Sequence, residues 1–277
     1  MRLGAPLPLA RLDPQLWIMG LLAKGYRAAY CPLSGGEDLG TIRNFERAAY
    51  SADIVIAEVG AWSNPLSPDP EGRAASLQKC KTLLALADEI GARCCVNIAG
   101  SRGAKWDGPH PADLTAETFE MIVATVREII DAVQPRRTFY TLEPMPWMYP
   151  DSADSYLELL RAVDRPRFGV HFDPVNLVCS PQRYYGNAAL VRDFVARLGP
   201  HIRSVHLKDI RLQERLTVHL DEVRPGLGEL DYRTLLTELN RLDPDLPVML
   251  EHLPAQAEYD LAAAAVRGVA AELQVEL

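Results

Sequence analysis

Residues 138–173 read TFYTLEPMPWMYPDSADSYLELLRAVDRPRFGVHFD and contain one complete unit of an alternating pattern. The short apolar runs 138–143 and 168–173 are rich in β-branched and aromatic residues, which favour strands. Between them, after a proline-containing loop, residues 153–164 place apolar side chains at helical spacing. A strand, a helix and a second strand in this order are typical of a parallel sheet with crossover helices.

The same alternation continues along the whole chain. The eight predicted strands cover residues 3–6, 26–31, 53–59, 93–99, 138–143, 168–173, 202–208 and 247–251. The eight predicted helices cover residues 14–24, 38–51, 73–91, 116–133, 153–164, 188–198, 232–242 and 259–272. Eight such units in 277 residues predict an α/β protein, a single (β/α)8 TIM barrel, whose usual length is about 250 residues. No linker or shift in composition divides the chain, so we expect one domain over residues 1–277.

The composition indicates which binding partners and which cellular compartment to expect for this protein. Asp and Glu outnumber Lys and Arg by 37 to 29, for a net charge of −8. Because nucleic acids and anionic membranes bind basic surfaces, we expect neither as a partner. The five cysteines form no C-x-x-C pair, and the prolines near the N-terminus interrupt any secretory leader. These features indicate a reduced, cytoplasmic protein without a membrane span.

Polar residues end or interrupt the predicted strands, where the side chains of a barrel converge on one cavity. They are Glu58, Asn97, Glu143, Asp173, His206, Lys208 and Glu251. A single Glu at a strand end is often a solvated rim residue, but four ligand-type residues from strands five to eight favour a shared cation. Glu143, Asp173, His206 and Glu251 are therefore the predicted metal ligands.

Three carboxylates and one imidazole suit Mn²⁺ or Mg²⁺ and also accept Co²⁺ or Zn²⁺. With one divalent cation, the set carries about one net negative charge, which Lys208 can balance from the same strand face as His206. We hypothesise that Glu143 and Glu251 are also the catalytic base and acid.

Further residues at strand ends and in the following loops are candidates for substrate binding. Trp62, Trp106 and Trp147 follow strands three, four and five, where aromatic rings stack on sugars or simply pack the loops. The complete predicted substrate-binding set is Glu58, Trp62, Asn97, Trp106, His110, Asn176, Lys208, His219 and Arg224. No Gly-rich phosphate loop is present, which favours an unphosphorylated substrate.

The motifs YTLEP, HFDPVN, SVHLKD and VMLEHL resemble strands five to eight of the xylose isomerase-like TIM-barrel superfamily of sugar isomerases, epimerases and dehydratases. The resemblance covers nearly the whole chain. It implies that Glu143, Asp173, His206 and Glu251 bind one divalent metal, commonly Mn²⁺, and that the barrel forms a homo-oligomer, as many members do. One departure is Asn176, where many members carry a histidine. This departure and the few histidines also argue against the three-metal cluster of the family's apurinic endonucleases.

We therefore expect a divalent-metal-dependent isomerase or epimerase that acts on a keto-sugar, keto-glycoside or keto-polyol. Proton abstraction next to a carbonyl would give a metal-stabilised enediolate. The alternative is a metal-dependent lyase or dehydratase that acts on a 3-keto sugar or inosose, with His110, His219 or Lys208 as proton donor to the leaving hydroxyl. A third interpretation is a barrel that binds a sugar or a partner without catalysis.

Overall fold

The computed structural model describes residues 1–277 and contains eight parallel strands closed into a barrel. The barrel strands are β1 Arg2–Gly4, β2 Ala28–Tyr30, β3 Val55–Gly60, β4 Cys94–Asn97, β5 Tyr140–Leu142, β6 Phe168–Phe172, β7 Ile202–Leu207 and β10 Pro247–Leu250. Neighbours pair in the order β1-β10-β7-β6-β5-β4-β3-β2, and β1 closes the ring against β2. The predicted (β/α)8 barrel is confirmed, with all eight predicted strands in it.

Helices surround the strands. They are α1 Pro14–Ala23, α2 Leu39–Ser51, α3 Pro70–Ile90, α4 Ala116–Val133, α5 Ala153–Val163, α6 Pro174–Leu177, α7 Pro181–Tyr185, α8 Asn187–Leu198, α9 Tyr232–Leu239 and α10 Gln256–Leu273. The sequence predicted the eight long ones, with some ends displaced. The helix predicted from residue 73 begins at Pro70 because Asp69 caps it, accepting a hydrogen bond from the Gly72 amide at 2.8 Å. No helix combines the length and apolar character needed to cross a bilayer.

The main hydrophobic core contains 67 buried residues, chiefly from the strands and the helices around them. Ala28, Ala57 and Met249 form a small separate cluster, as expected for side chains that point into the barrel. A Cβ at Gly4 would overlap the Ala28 carbonyl oxygen, so this part of the barrel is tightly filled. A cavity lies at the carboxyl ends of the strands, where Glu143 and Glu251 follow β5 and β10.

The region between β7 and α9 contains a feature that the sequence did not predict. Strands β8 Asp209–Leu212 and β9 Leu220–Val223 form an antiparallel hairpin between the predicted strand 202–208 and the predicted helix 232–242, where no strand was predicted. The Asp209 carboxylate accepts hydrogen bonds from the amides of Gly226, Gly228 and Leu230 at 2.9–3.0 Å. These bonds tie the base of the hairpin to the segment before α9, at the edge of the cavity.

Candidate metal centre

Glu143, Asp173, His206 and Glu251 meet at the carboxyl ends of four adjacent barrel strands. Their ligand atoms all lie within 4.8 Å of one another, and all four residues are buried. His206 Nδ1 lies 2.9 Å from Glu251 Oε1 and 3.2 Å from Glu143 Oε1. The structure therefore brings the four predicted metal ligands together, and we refer to them as the quartet.

The local sequence HFDP directs one oxygen of Asp173 toward the quartet. Asp173 follows the last residue of β6 and caps the short helix α6, which begins at Pro174. Its Oδ1 accepts hydrogen bonds from the amides of Val175 and Asn176 at 3.0 and 3.1 Å. Because the cap uses Oδ1, Oδ2 remains for the quartet and lies 3.8 Å from His206 Nδ1.

His206 is held from the side opposite the other quartet residues. Its Nε2 donates to Glu58 Oε2 at 3.2 Å, and Glu58 also accepts from His171 Nε2 at 3.1 Å and from the Ser204 hydroxyl. The Glu58 carboxylate is fully buried. Burial alone would raise its pKa, but His206 and His171 hold that pKa well below its usual range. With Nε2 engaged in this way, Nδ1 of His206 faces the carboxylates.

Lys208 supplies a buried positive charge beside the quartet. Its side chain is 1% exposed, and Nζ lies 2.6 Å from Glu251 Oε1 and 2.8 Å from Asp173 Oδ2. Burial would lower the pKa of Lys208, whereas Asp173, Glu251 and Glu143 raise it well above its usual value. The ammonium therefore remains charged and offsets part of the carboxylate repulsion.

Asp173 and Glu143 differ strongly in proton affinity. The pKa of Asp173 rises to about 7, mainly because the group is buried and further because Glu143 and Glu251 repel its charge. Burial and Glu251 would also raise the pKa of Glu143, but His206 and Lys208 lower it to about 2. The raised pKa of Asp173 reflects the carboxylate charge beside it, a repulsion that a bound cation would relieve.

Two buried atoms of the quartet fit a metal site. Asp173 Oδ2 and Glu251 Oε1 accept no hydrogen bond, although both lie close to the Lys208 ammonium. With Glu143 and His206, the quartet offers three oxygens and one nitrogen that lie within 4.8 Å of one another. The imidazole backed by a carboxylate is an arrangement that commonly orients a metal ligand. The residues present therefore fit a divalent cation.

A cavity of about 750 Å³ opens above the quartet. Two quartet residues, Glu143 and Glu251, line it, and so does Lys208. The walls come from loops, strand ends and α10, and their apolar residues include Tyr30, Trp62, Trp106, Met145, Trp147 and Tyr259. A polar floor with aromatic walls is typical of a site for a small organic molecule.

Four of the predicted substrate-binding residues line this cavity: Trp62, Trp106, Asn176 and Lys208. The remaining five lie elsewhere. Glu58 and Asn97 are buried beneath the site, and Asn97 donates to Cys80 Sγ at 3.4 Å while accepting from the Ser63 amide at 3.1 Å.

The other three lie in loops away from the cavity lining. His110 accepts a hydrogen bond from the Ala112 amide within its own loop, and His219 lies between the strands of the hairpin. The Arg224 guanidinium pairs with Glu258 at 2.8 Å. None of these three side chains therefore lines the cavity above the quartet.

Three cavity residues were absent from the predicted set although they lie near the quartet. Tyr30 is the last residue of β2, whereas the predicted strand 26–31 extends one residue further, so the predicted strand end fell on Cys31 instead. His252 directly follows Glu251 and adopts a positive φ of 57°. Glu222 reaches the cavity only because β9 folds back, and it lies 3.2 Å from His252 Nδ1 and 3.7 Å from Lys208 Nζ.

The family model described as "Xylose isomerase-like TIM barrel" matches residues 29–269 of the chain. No curated protein matches the sequence.

Solved structures of proteins with different named activities have similar folds. D-psicose 3-epimerase from Clostridium cellulolyticum has a TM-score of 0.70 at 14% identity, with 100% of both chains covered. The probable 3-DHS dehydratase AsbF from Bacillus anthracis has a TM-score of 0.70 at 19% identity, with 96% of this chain and 97% of that chain covered. Endonuclease IV from Thermus thermophilus has a TM-score of 0.73 at 15% identity, with 98% and 100% covered. At these identities the similarity establishes the fold alone.

Proposed function

Because the chain belongs to the xylose isomerase-like TIM-barrel family, we propose that it is a divalent-metal-dependent isomerase or epimerase of a keto-sugar, keto-glycoside or keto-polyol. The observation that carries the proposal is the convergence of the quartet at the floor of an aromatic-walled cavity. Glu143, Asp173, His206 and Glu251 would hold the cation, with Mn²⁺ our first choice and Mg²⁺, Co²⁺ and Zn²⁺ compatible with the donor set.

When bound, the cation would supply Lewis-acid stabilisation of the negative charge that develops on a substrate carbonyl. The protein contributes two carboxylates at the edge of the cavity. Glu143 and Glu251 direct Oε1 toward His206. Oε2 of Glu251 lies 3.5 Å from Nε2 of His252, another cavity residue, and we assign Oε2 of each carboxylate to proton transfer. One carboxylate removes a proton from the carbon beside the carbonyl, and the other serves as the acid.

The destination of the proton decides the product. Its return to the opposite face of the same carbon inverts that centre, whereas its return to the neighbouring carbon moves the carbonyl. Asn176 holds Glu143 in place, since its side-chain amide donates to Glu143 Oε1 and to the Pro144 carbonyl oxygen, each at 3.1 Å. These contacts keep the carboxylate at the cavity wall during the transfer.

We further propose a small carbohydrate as the substrate and no nucleic-acid partner. The chain carries a net charge of −8, and Asp107, Glu143, Glu222 and Glu251 place four carboxylates around the cavity. A phosphate backbone would meet repulsion at this surface, because nucleic acids are held by Lys and Arg.

The test is proton NMR in D₂O with the Mn²⁺-loaded protein and a panel of ketoses, inososes and 3-keto-glycosides. We expect deuterium at one carbon next to a carbonyl. Glu143→Gln and Glu251→Gln should each slow the exchange about 10²- to 10⁴-fold, whereas the exposed Glu120→Gln should leave it unchanged. Full exchange in both quartet variants, or none with any compound in the wild type, would overturn the proposal.

The second candidate is a lyase or dehydratase with the same quartet. The observation that favours it is Lys208, whose ammonium lines the cavity beside Glu251 and can protonate a leaving hydroxyl. His110 and His219, the other candidate donors, do not line the cavity. Loss of a substrate hydroxyl with a new enone absorbance in the same incubations would identify this reaction.

A further inference from the structure

The cavity has an inner zone next to the quartet. The rings of Tyr30 and Trp62 each lie 6.4 Å from the His206 ring, centroid to centroid. The carbonyl end of a substrate must lie here, beside Glu143 and Glu251, for a proton to be transferred. This inner zone is bounded by the carboxylates and by the rings of Tyr30 and Trp62.

A second aromatic surface lies farther out. Trp106, on the loop after β4, is 39% exposed and lies at the mouth of the cavity, and Trp147, on the loop after β5, also lines it. The Trp147 indole donates to the Asp107 carbonyl oxygen at 3.0 Å, which connects the two loops. This bond fixes one of the two indoles before any ligand arrives, so less conformational freedom is lost on binding.

The charges at the mouth disfavour an anionic ligand. No arginine lines the cavity, and its two lysines are already paired. Lys105 lies 3.2 Å from Asp107 Oδ1, and Lys208 lies among the quartet carboxylates. A phosphate or carboxylate group at the mouth would find no unpaired cation. The outer surface therefore suits an uncharged group with a flat apolar face.

The volume of the cavity exceeds what a monosaccharide needs. At about 750 Å³ it falls within the range of about 300–1,000 Å³ usual for drug-sized ligands, and is several times the volume of one sugar ring. We propose that the substrate is a keto-glycoside with two rings: a keto-sugar at the quartet and an uncharged second ring stacked on Trp106 and Trp147. This inference rests on the proposed function and specifies its substrate.

The experiment compares exchange rates for four compounds with the Mn²⁺-loaded protein: 3-keto-glucose, methyl 3-keto-glucoside, phenyl 3-keto-glucoside and cellobiose oxidised at C3 of its non-reducing ring. We expect kcat/KM for deuterium incorporation to be about tenfold higher for the two-ring compounds than for the methyl glycoside. A comparison of the phenyl compound with the cellobiose derivative shows whether the second ring is aromatic or a sugar.

Two matched variants test the assignment to Trp106. Trp106→Ala should lower kcat/KM for the two-ring compounds about tenfold more than for the methyl glycoside, while Trp106→Phe should restore most of the difference. Equal kcat/KM across the four compounds, or an equal loss for all of them in Trp106→Ala, would overturn the inference while the proposed function stands.

A binding measurement tests the site for the second ring at Trp106 and Trp147, which we call the second-ring site, independently of the proposed reaction. Phenyl glucoside, which lacks the ketone, should quench tryptophan fluorescence more strongly in the wild type than in Trp106→Ala, and glucose should quench neither at the same concentration. If this binding is found but no compound exchanges deuterium, the proposed function fails and the second-ring site is supported. If phenyl glucoside and glucose bind alike, the second-ring site is contradicted.

Discussion

Glu58 on β3 accepts a hydrogen bond from His206 Nε2 at 3.2 Å, from the side of the imidazole that faces away from the other quartet residues. Both side chains are fully buried. This contact leaves Nδ1 of His206 facing Glu143, Asp173 and Glu251. The geometry of the proposed metal centre therefore depends on a residue that does not line the cavity.

Glu58→Gln should weaken Mn²⁺ binding about 10- to 100-fold, because the neutral amide polarises and orients His206 less well than a carboxylate does. Isothermal titration calorimetry on the metal-free protein measures the change. Ser204→Ala is the matched control, since it removes one hydrogen bond to Glu58 and leaves the His206 contact intact, so its effect should be smaller. An unchanged dissociation constant in Glu58→Gln would show that the contact has no part in metal binding.

Gly60→Ala should displace the Trp62 indole, since a Cβ at Gly60 would overlap Trp62 Nε1. Because Trp62 forms part of the inner cavity wall, we expect kcat/KM to fall about tenfold with little loss of stability. The control is Gly268→Ala on α10, where nothing lies within 4 Å of the new Cβ. Normal kinetics in Gly60→Ala would contradict a role for the Trp62 position in substrate binding.

Tyr156→Phe should destabilise the fold by about 1–3 kcal/mol. The fully buried Tyr156 hydroxyl donates to the Leu142 carbonyl oxygen on β5 and accepts from the His171 amide on β6 at 3.1 Å. Its removal leaves buried backbone groups of two site-bearing strands without partners. Urea denaturation measures the difference, and Tyr50→Phe, at an 86% exposed position, should have no effect. Equal stability of Tyr156→Phe and the wild type would refute the expectation.

Glu37 should stabilise the fold in a pH-dependent manner. Burial alone would raise its pKa, but hydrogen bonds from Ser34 and Gly35 lower that pKa from 4.5 to about 2. A lowered folded-state pKa gives stability that is present above about pH 4.5 and is lost as the pH falls through about 2. Because Glu37 is partly exposed, solvent screening limits the contribution at pH 7 to about 1 kcal/mol.

Glu37→Gln should therefore lower the free energy of unfolding at pH 7 and match the wild type near pH 2. Urea denaturation at several pH values measures both differences. Glu120→Gln, at an exposed position on α4, serves as the control and should show no such pH-dependent difference. A constant difference between Glu37→Gln and the wild type from pH 7 to pH 2 would contradict the role of the charged carboxylate.

The barrel was predictable because each strand and helix has its own apolar pattern. The predicted helix 116–133 coincides with α4, where the hydrophobic spacing is regular and Thr115 caps the first turn. The hairpin was not predictable in the same way. Strands β8 and β9 have four residues each and mix polar with apolar side chains, so their pairing depends on contacts between distant positions.

The positions of the site residues were also only partly predictable from the sequence. Glu143 and Glu251 directly follow β5 and β10, so the position of each in the sequence indicated its place at the end of the barrel. The depth of Glu58 in the barrel depends on the register between β3 and β4, which the sequence alone does not give. Strand β3 continues to Gly60, and Glu58 pairs with Cys94, the first residue of β4. Glu58 therefore lies a layer below the quartet, a depth that pattern analysis of a single strand does not provide.

The most direct test of the metal centre is a titration of the metal-free protein with Mn²⁺, followed by the electron paramagnetic resonance signal of the free ion. We expect one ion bound per chain. Asp173→Asn should weaken the binding about 100-fold or more, because it removes a ligand, and Asp107→Asn, a cavity carboxylate outside the quartet, should leave it unchanged. Absence of binding by the wild type, or equal affinity in Asp173→Asn, would contradict the assignment of the quartet as a metal site.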